Sequence, residues 1–302
     1  MKGHYHIIIL LLAFALLGCI RDDGTGDDCD RTQISFCYYG DSPEEACRFV
    51  EKTDQVTLFV YDSAGRLVMS RTKDNAALSA HKGMNLNLPD GEYYLVAWTN
   101  ITDCSEAHET GTLSAATLGN GDYYAGHPVI EQTNDRLYYA GKKITVVQSE
   151  YRHEEMKFRQ AHIPLRIHIM GAAAPTDTKS SAGTPVEMNV ANLHPQMGFD
   201  GVSTASLTSV YRPELSYDAQ TESYTATVYA FRFSDENAIE LKLSNAGGAV
   251  SYKTVRLTDF MNEHAISVDD KDEAEIAIRF RFNNTSVDIS PWEEGDIDPE
   301  QK

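Results

Sequence analysis

Leu88-Pro89-Asp90-Gly91-Glu92-Tyr93-Tyr94-Leu95-Val96-Ala97-Trp98-Thr99-Asn100 is the stretch on which the fold turns. Pro89-Asp90-Gly91 has turn chemistry, because proline presets φ and glycine tolerates backbone angles that other residues resist. Beyond it, Tyr93, Leu95 and Ala97 alternate with Tyr94, Val96 and Trp98. Successive side chains of a strand point to opposite faces, so both faces of this strand are apolar and both need cover. That places it centrally, with layers on either side, and predicts a sandwich.

Strand patterns spread outward from it. Val56, Leu58 and Val60 alternate with Thr57, Phe59 and Tyr61, and Asp62-Ser63-Ala64-Gly65 turns the chain into Leu67-Val68-Met69, which reads as a β-hairpin. Gln33 to Tyr39 and Met84 to Leu88 are further strand candidates, while Ser42-Pro43-Glu44-Glu45 has the order of a helix N-terminus, flanked by Cys37 and Cys47. Ala107 to Gly126, rich in Gly, Thr and Ser, is expected to loop over the surface before strand character resumes at Ile144 to Val147. A new pattern opens at Met156, where Ile163, Leu165, Ile167 and Ile169 alternate with Pro164, Arg166 and His168, so a domain boundary is expected near residue 155. After a weakly patterned loop, Gly171 to Thr184, come strands at Val186 to Val190, Ser223 to Phe233, Ile239 to Leu243, Val250 to Val255 and Glu275 to Phe282, a short helix at Leu257 to Glu263, and a last strand at Thr285 to Ile289. Long amphipathic helices and βαβ alternation are both missing, which makes the class all-β.

Charge and motif content exclude several functions. The formal charge is −19 over 302 residues, so nucleic acid is not an expected partner. His153-Glu154-Glu155 has Lys157 where a zinc-protease motif needs its second histidine, and no GxSxG, phosphate-binding loop or dinucleotide fingerprint occurs. His162 and His168 stand six residues apart on one strand and are expected to face solvent; Asp269 to Glu273 reads as a charged hairpin, not as a catalytic carboxylate pair. Asn100-Ile101-Thr102 is a chance match to a glycosylation sequon. The expectation is a protein without enzyme activity, metal site or cofactor.

The N-terminus points to export. Lys2 precedes eleven apolar residues, Ile7 to Leu17, and Gly18 stands ahead of Cys19. This run is shorter than the ~20 residues needed to cross a bilayer as a helix and reads as a removable signal. Leu16-Leu17-Gly18-Cys19 resembles the lipobox of bacterial lipoproteins, which implies cleavage of residues 1–18 and acyl chains, palmitate among them, on Cys19 as the only covalent addition. Residues 19–31 hold the lipid site and a flexible tether without periodicity. Its Asp22, Asp23, Asp27 and Asp28 resemble the acidic signal that sends lipoproteins to the outer face of the outer membrane. With Cys19 acylated, Cys29, Cys37, Cys47 and Cys104 form an even set in an exported chain, enough for two disulfides in any of three pairings. At least one bond is expected in the first domain, with Cys104 as a partner because it follows the proposed central strand.

Taken together, the lipobox, the acidic tether, the cysteine-bearing first segment, V-T-L-F-V-Y-D-S-A-G-R-L-V at Val56 to Val68, the Leu88 to Asn100 stretch and V-D-I-S-P-W at Val287 to Trp292 resemble the fimbrial anchoring subunits of the FimB and Mfa type. The resemblance implies two tandem transthyretin-like β-sandwich domains, at residues 32–155 and 156–292, after a lipoprotein signal and tether, with an acidic tail at 293–302. It further implies a surface-exposed outer-membrane lipoprotein that anchors or terminates a fimbrium, with shaft or accessory subunits as partners. Such fimbriae resemble donor-strand systems, in which a neighbour's extended segment completes a sheet. Glu293-Glu294-Gly295-Asp296-Ile297-Asp298 is too acidic to be given away as an apolar strand, so this chain is expected to accept a strand and not to donate one. The competing readings are a fimbrial tip adhesin and a surface glycan-binding lipoprotein using Tyr123, Tyr124, Tyr138 and Tyr139 as a platform.

Overall fold

A computed structural model of the chain describes residues 32–42, 46–81, 83–147, 150–175, 185–203, 206–269 and 271–292. Cys19, Asp22, Asp23, Asp27, Asp28 and Cys29 lie outside the described residues, as do Pro43 to Glu45 of the expected first helix and the acidic tail.

The fold is all-β. Its first sheet has seven strands, in the order β3 (Leu67–Asp74), β2 (Gln55–Asp62), β5 (Gly91–Thr99), β9 (Tyr138–Val146), β10 (Arg152–Gln160), β1 (Thr32–Tyr38) and β4 (Met84–Leu86). β10 is the fold line. It pairs with β9 only at Arg159 and Gln160, whereas it runs parallel to β1 from Arg152 to Phe158. The sheet therefore doubles over into two layers that close on one core, with Ile34, Phe36, Leu86 and Phe158 from one side and Val56, Leu58, Leu95 and Ile144 from the other. A guanidinium N–H of Arg71 on β3 donates to the carbonyl of Asn85 on β4 at 2.9 Å, tying the two end strands together. Gly83 sits at φ +121, where an added Cβ would come within 2.0 Å of the Ile34 carbonyl oxygen, so the turn into β4 excludes side chains.

β5 behaves as its alternation predicts. Tyr93, Leu95 and Ala97 face this core, while Val96 and Trp98 face a second apolar cluster. Cover for that second face comes from a three-stranded sheet, β13 (Gln196–Gly198), β7 (Thr117–Asn120) and β6 (Ser105–His108). The expectation of a surface loop over Ala107 to Gly126 is thus corrected: β7 and α3 (Gly121–Tyr124) lie inside it. Its polar composition hides Ala116 and Leu118, which become buried because the outer face of β5 needs them.

Beyond residue 160 a second sandwich forms. One sheet runs β15 (Ser216–Asp218), β16 (Ser223–Phe231), β11 (His162–Met170), β19 (Ile276–Phe282) and β20 (Val287–Pro291). The facing sheet runs β18 (Ser251–Arg256), β17 (Glu240–Asn245), β12 (Val186–Leu193), β14 (Ser209–Tyr211) and β8 (Val129–Ile130). Ile163, Leu165, Ile167 and Ile169 meet Met188, Val190, Leu241 and Leu243 between them. Three short helices, α1 (Phe49–Lys52), α2 (Asn75–Ala80) and α4 (Leu257–Glu263), complete the described elements with α3; α4 buries Leu257, Phe260 and Met261 at helical spacing. Strands cross the boundary drawn at residue 155 in both directions, since β8 joins a sheet of the later half and β13 pairs with β7 of the earlier one.

Candidate functional site

The junction between the halves is assembled by the end of β5. Asn100, with φ 56, turns the chain out of the strand and is 6% exposed. Its side-chain amide donates to the carbonyls of Lys52 at 3.0 Å and Arg136 at 2.8 Å, and its oxygen accepts from the Asp54 N–H at 2.8 Å. This explains the asparagine of the decisive stretch and shows that the asparagine of the sequon is a buried clamp. Two residues earlier, Trp98 is fully buried, with its ring 4.9 Å from Tyr139 and 6.0 Å from Phe199. Ala161, Phe199 and Phe231 come to that cluster from the later half, so it forms an apolar seam between the halves.

An ionic patch lies beside the seam. Glu273 accepts from Arg48 at 2.8 Å and pairs with Lys52 at 3.2 Å. Burial alone would raise its pKa, but the bonds from Arg48 and Lys52 outweigh it and hold the carboxyl below the usual range. The backbone N–H groups of Asp272 and Glu273 donate to the Asp41 carboxylate, and Arg232 donates to the carbonyls of Val268 and Lys271. The run expected to be a charged hairpin therefore docks on the first half through the Glu273 carboxylate and the backbone N–H groups of Asp272 and Glu273, partners that no local pattern reveals.

His162 also departs from expectation. It is 2% exposed, enclosed by Tyr138 and Tyr229 at ring distances of 5.6 and 5.3 Å, and its Nδ1–H donates to the Leu137 carbonyl at 2.8 Å. Burial pushes its pKa down to about 4 despite that hydrogen bond. Strand alternation sends it outward from β11, but at the junction outward means against β9. His168, farther along β11, is half-buried under the ring of Trp292, with the centroids 4.7 Å apart.

From the junction a polar groove of about 1220 Å³ runs over the outer face of β11, β16 and β19, from Lys52 and Arg136 at one end to Met170 and Asp218 at the other, with Trp292 along its side. Arg166 and Glu275 pair across its floor at 3.0 Å. Such a lining suits polar groups and not the apolar side chains of a donated strand. β3 and β18 end their sheets and expose Val68 and Tyr252.

The remaining residues singled out in the sequence fall as follows. Cys37 is bonded to Cys47, and Cys104, expected as a partner, is a free thiol whose Sγ lies 3.5 Å from Gln132 Oε1. The bond closes locally, over a sequence separation of 10, which the helix-like sequence between the two cysteines did not suggest. Tyr138 and Tyr139 are buried in β9, Tyr123 packs on the later core, and Tyr124 stacks on His108 at 3.6 Å. The four tyrosines therefore form no common exposed platform.

The sequence matches the family of fimbrillin-A associated anchor proteins Mfa1 and Mfa2 over residues 26–298. No curated protein matches it. Among solved structures, the fimbrial anchor protein Mfa2 from Porphyromonas gingivalis superposes with a TM-score of 0.65 at 14% identity, covering 86% of this chain and 97% of that one. A candidate polysaccharide-binding protein from Bacteroides thetaiotaomicron gives 0.67 at 16% identity, covering 87% and 98%, and a candidate adhesin of the same organism gives 0.64 at 16%, covering 89% and 98%. At these identities the likeness establishes the fold.

Proposed function

Because the chain belongs to the family of fimbrillin-A associated anchor proteins, we propose that it is the lipid-anchored outer-membrane subunit that holds or terminates a fimbrium by accepting a strand from a shaft subunit. The family match, which spans nearly all of the chain beyond the signal, carries this reading. In it, Cys19 bears the acyl chains, Asp22, Asp23, Asp27 and Asp28 direct the protein to the cell surface, and no chemical step is catalysed.

The course of β1 gives the reading an orientation. β1 begins at Thr32, directly after the tether, and its far end leads to Asp41, which touches the junction loop. At ~3.3 Å per residue the strand separates tether from junction by about 20 Å. In this reading the later half lies at the end of the molecule opposite the tether. Strand addition at an open edge such as β3 supplies backbone hydrogen bonds, and the neighbouring side chains set specificity. A sugar-binding role, suggested by the description of the Bacteroides relative, lacks the exposed tyrosine platform it would need.

Deleting the protein tests the proposal. Fimbriae should be released into the medium, longer than normal because termination is lost. Cell-bound fimbriae of normal length in the deletion strain would overturn it.

A further inference from the structure

The direction of the chain across the first half has a mechanical consequence. We propose that β1 and β10 form a shear clamp through which a load on the later half reaches the tether, with the Cys37–Cys47 bond keeping that load off Asp41. The proposal rests on the anchor reading, in which the tether joins the folded body at Thr32.

Parallel pairing is the first support. All seven residues of β1 pair with β10, from Thr32 opposite Arg152 to Tyr38 opposite Phe158. The load enters at the first residue of β1, and β10 passes it on from its opposite end, leading through Ala161 directly into β11 of the later half. Pulling two parallel strands from opposite ends slides one along the other, so the evenly spaced bonds of the ladder are strained together and not one after another. β9 shares little of this load, since it meets β10 only at Arg159 and Gln160.

Side chains interlock the two strands against sliding. Ile34, Phe36 and Tyr38 of β1 are buried, and Phe36 packs on Phe158 with ring centroids 5.8 Å apart. On the opposite face His153 Nε2 lies 3.0 Å from the Ser35 hydroxyl, and the Tyr39 hydroxyl donates to the Glu155 carboxylate at 3.3 Å. Side chains packed at interior density have little room to move past one another. β4 adds a second ladder on the other edge of β1, where Ile34 pairs with Met84 and Thr32 with Leu86.

The disulfide is placed to shield the junction. Asp41, which accepts from the backbone N–H of Glu273 at 3.3 Å, lies inside the loop closed by Cys37 and Cys47. Tension that reaches Cys37 crosses the bond to Cys47 and bypasses that loop.

Single-molecule pulling on the mature full-length protein tests this. One handle is attached ahead of Thr32. The other is an azide-bearing residue in place of exposed Val250, which lies beside Asn245 at the end of the later half away from the junction, or of exposed Tyr151, which adjoins Thr32 across the ladder. The first arrangement loads the clamp in shear, and the second peels β1 from β10 pair by pair. At one loading rate the shear arrangement should need a severalfold higher force, because forced unfolding reads the barrier and not the equilibrium stability. Reducing the Cys37–Cys47 bond should lengthen the chain released in shear by about 30 Å, the reach of a sequence separation of 10 at ~3.3 to 3.6 Å per residue less the 5.4 Å already spanned between the two Cα atoms. Equal force in the two arrangements would overturn the proposal. A released length in shear that reduction leaves unchanged would overturn it as well, because the part that yields would then lie outside the first half. The protein is pulled without a fimbrium, so failure of the clamp is distinguishable from failure of the anchor role, which the deletion strain reads.

Discussion

The guanidinium of Arg48 and the carboxylate of Glu273, 225 residues apart in the chain, lie 2.8 Å from each other and join the two halves of the molecule. Lys52 adds a second contact to the same carboxylate at 3.2 Å. Since the groups are partly exposed, with about 30% of the Glu273 side chain accessible, the pair is worth little more than a good surface ion pair. Glu273→Gln should cost about 1 kcal/mol in urea unfolding at low salt, and the loss should shrink as salt is raised. An unfolding midpoint identical to wild type at low salt would show that the apolar seam alone fixes the junction.

Asn100 separates a hydrogen-bond effect from a backbone effect. Asn100→Gly keeps the left-handed backbone but removes three side-chain hydrogen bonds, whereas Asn100→Ala also carries the strain of a Cβ at φ 56. The alanine variant should be the less stable of the two by about 1 kcal/mol, and both should be well below wild type. Equal stability of the two variants would mean that the conformation at Asn100 is relaxed.

His162 predicts acid sensitivity. Its folded pKa is about 4, below the ordinary 6.5, so above pH 6.5 the ring is neutral in both states and nothing is lost. As pH falls below 6.5 the unfolded chain takes up the proton and the folded one does not, so stability drops until pH reaches about 4. The loss should be about 2 kcal/mol by pH 5 and about 3 kcal/mol in full. Unfolding of wild type and His162→Gln from pH 7 to pH 5 checks this, because the variant should lack that part of the slope.

The cysteines can be read chemically. Without reduction, alkylation of the folded protein should label Cys104 and neither Cys37 nor Cys47. Labelling at pH 8 should be slower than for an open thiol, because burial and the nearby Asp135 carboxylate push the Cys104 thiol pKa up. Removing the bond with Cys37→Ala and Cys47→Ala together should cost about 2 to 3 kcal/mol, as expected for a sequence separation of 10.

The anchor itself is tested at the N-terminus. Mass spectrometry should find acyl chains on Cys19, and Cys19→Ala should leave an unprocessed or released protein. Replacing Asp22, Asp23, Asp27 and Asp28 by Ala should preserve the lipid but shield the protein from protease added to whole cells. Equal cleavage of both forms would remove the sorting role.

Much of the architecture was legible because alternation is a local signal. Tyr93 to Trp98 announced a strand with two buried faces, and Ile163 to Ile169 announced a strand, which the structure puts in the middle of its sheet. The spacing of Leu257, Phe260 and Met261 likewise marked α4. The junction was not legible. Asp41, Arg48, Lys52, Asn100, His162 and Glu273 are scattered along the chain at the ends of elements or between them, and each takes its meaning from a partner far away in sequence.

Local pattern and motifs were enough for the all-β class, the family and an interior strand covered on both faces, since alternation on a strand repeats every second residue and can be read without knowing the neighbour. Tertiary structure alone decided that β6, β7 and β13 cover Trp98, that Cys37 bonds Cys47 while Cys104 stays free, and that His162 is buried. Those outcomes depend on which surfaces meet when the chain doubles back at β10, and an outward-facing residue becomes interior only when another layer arrives to cover it.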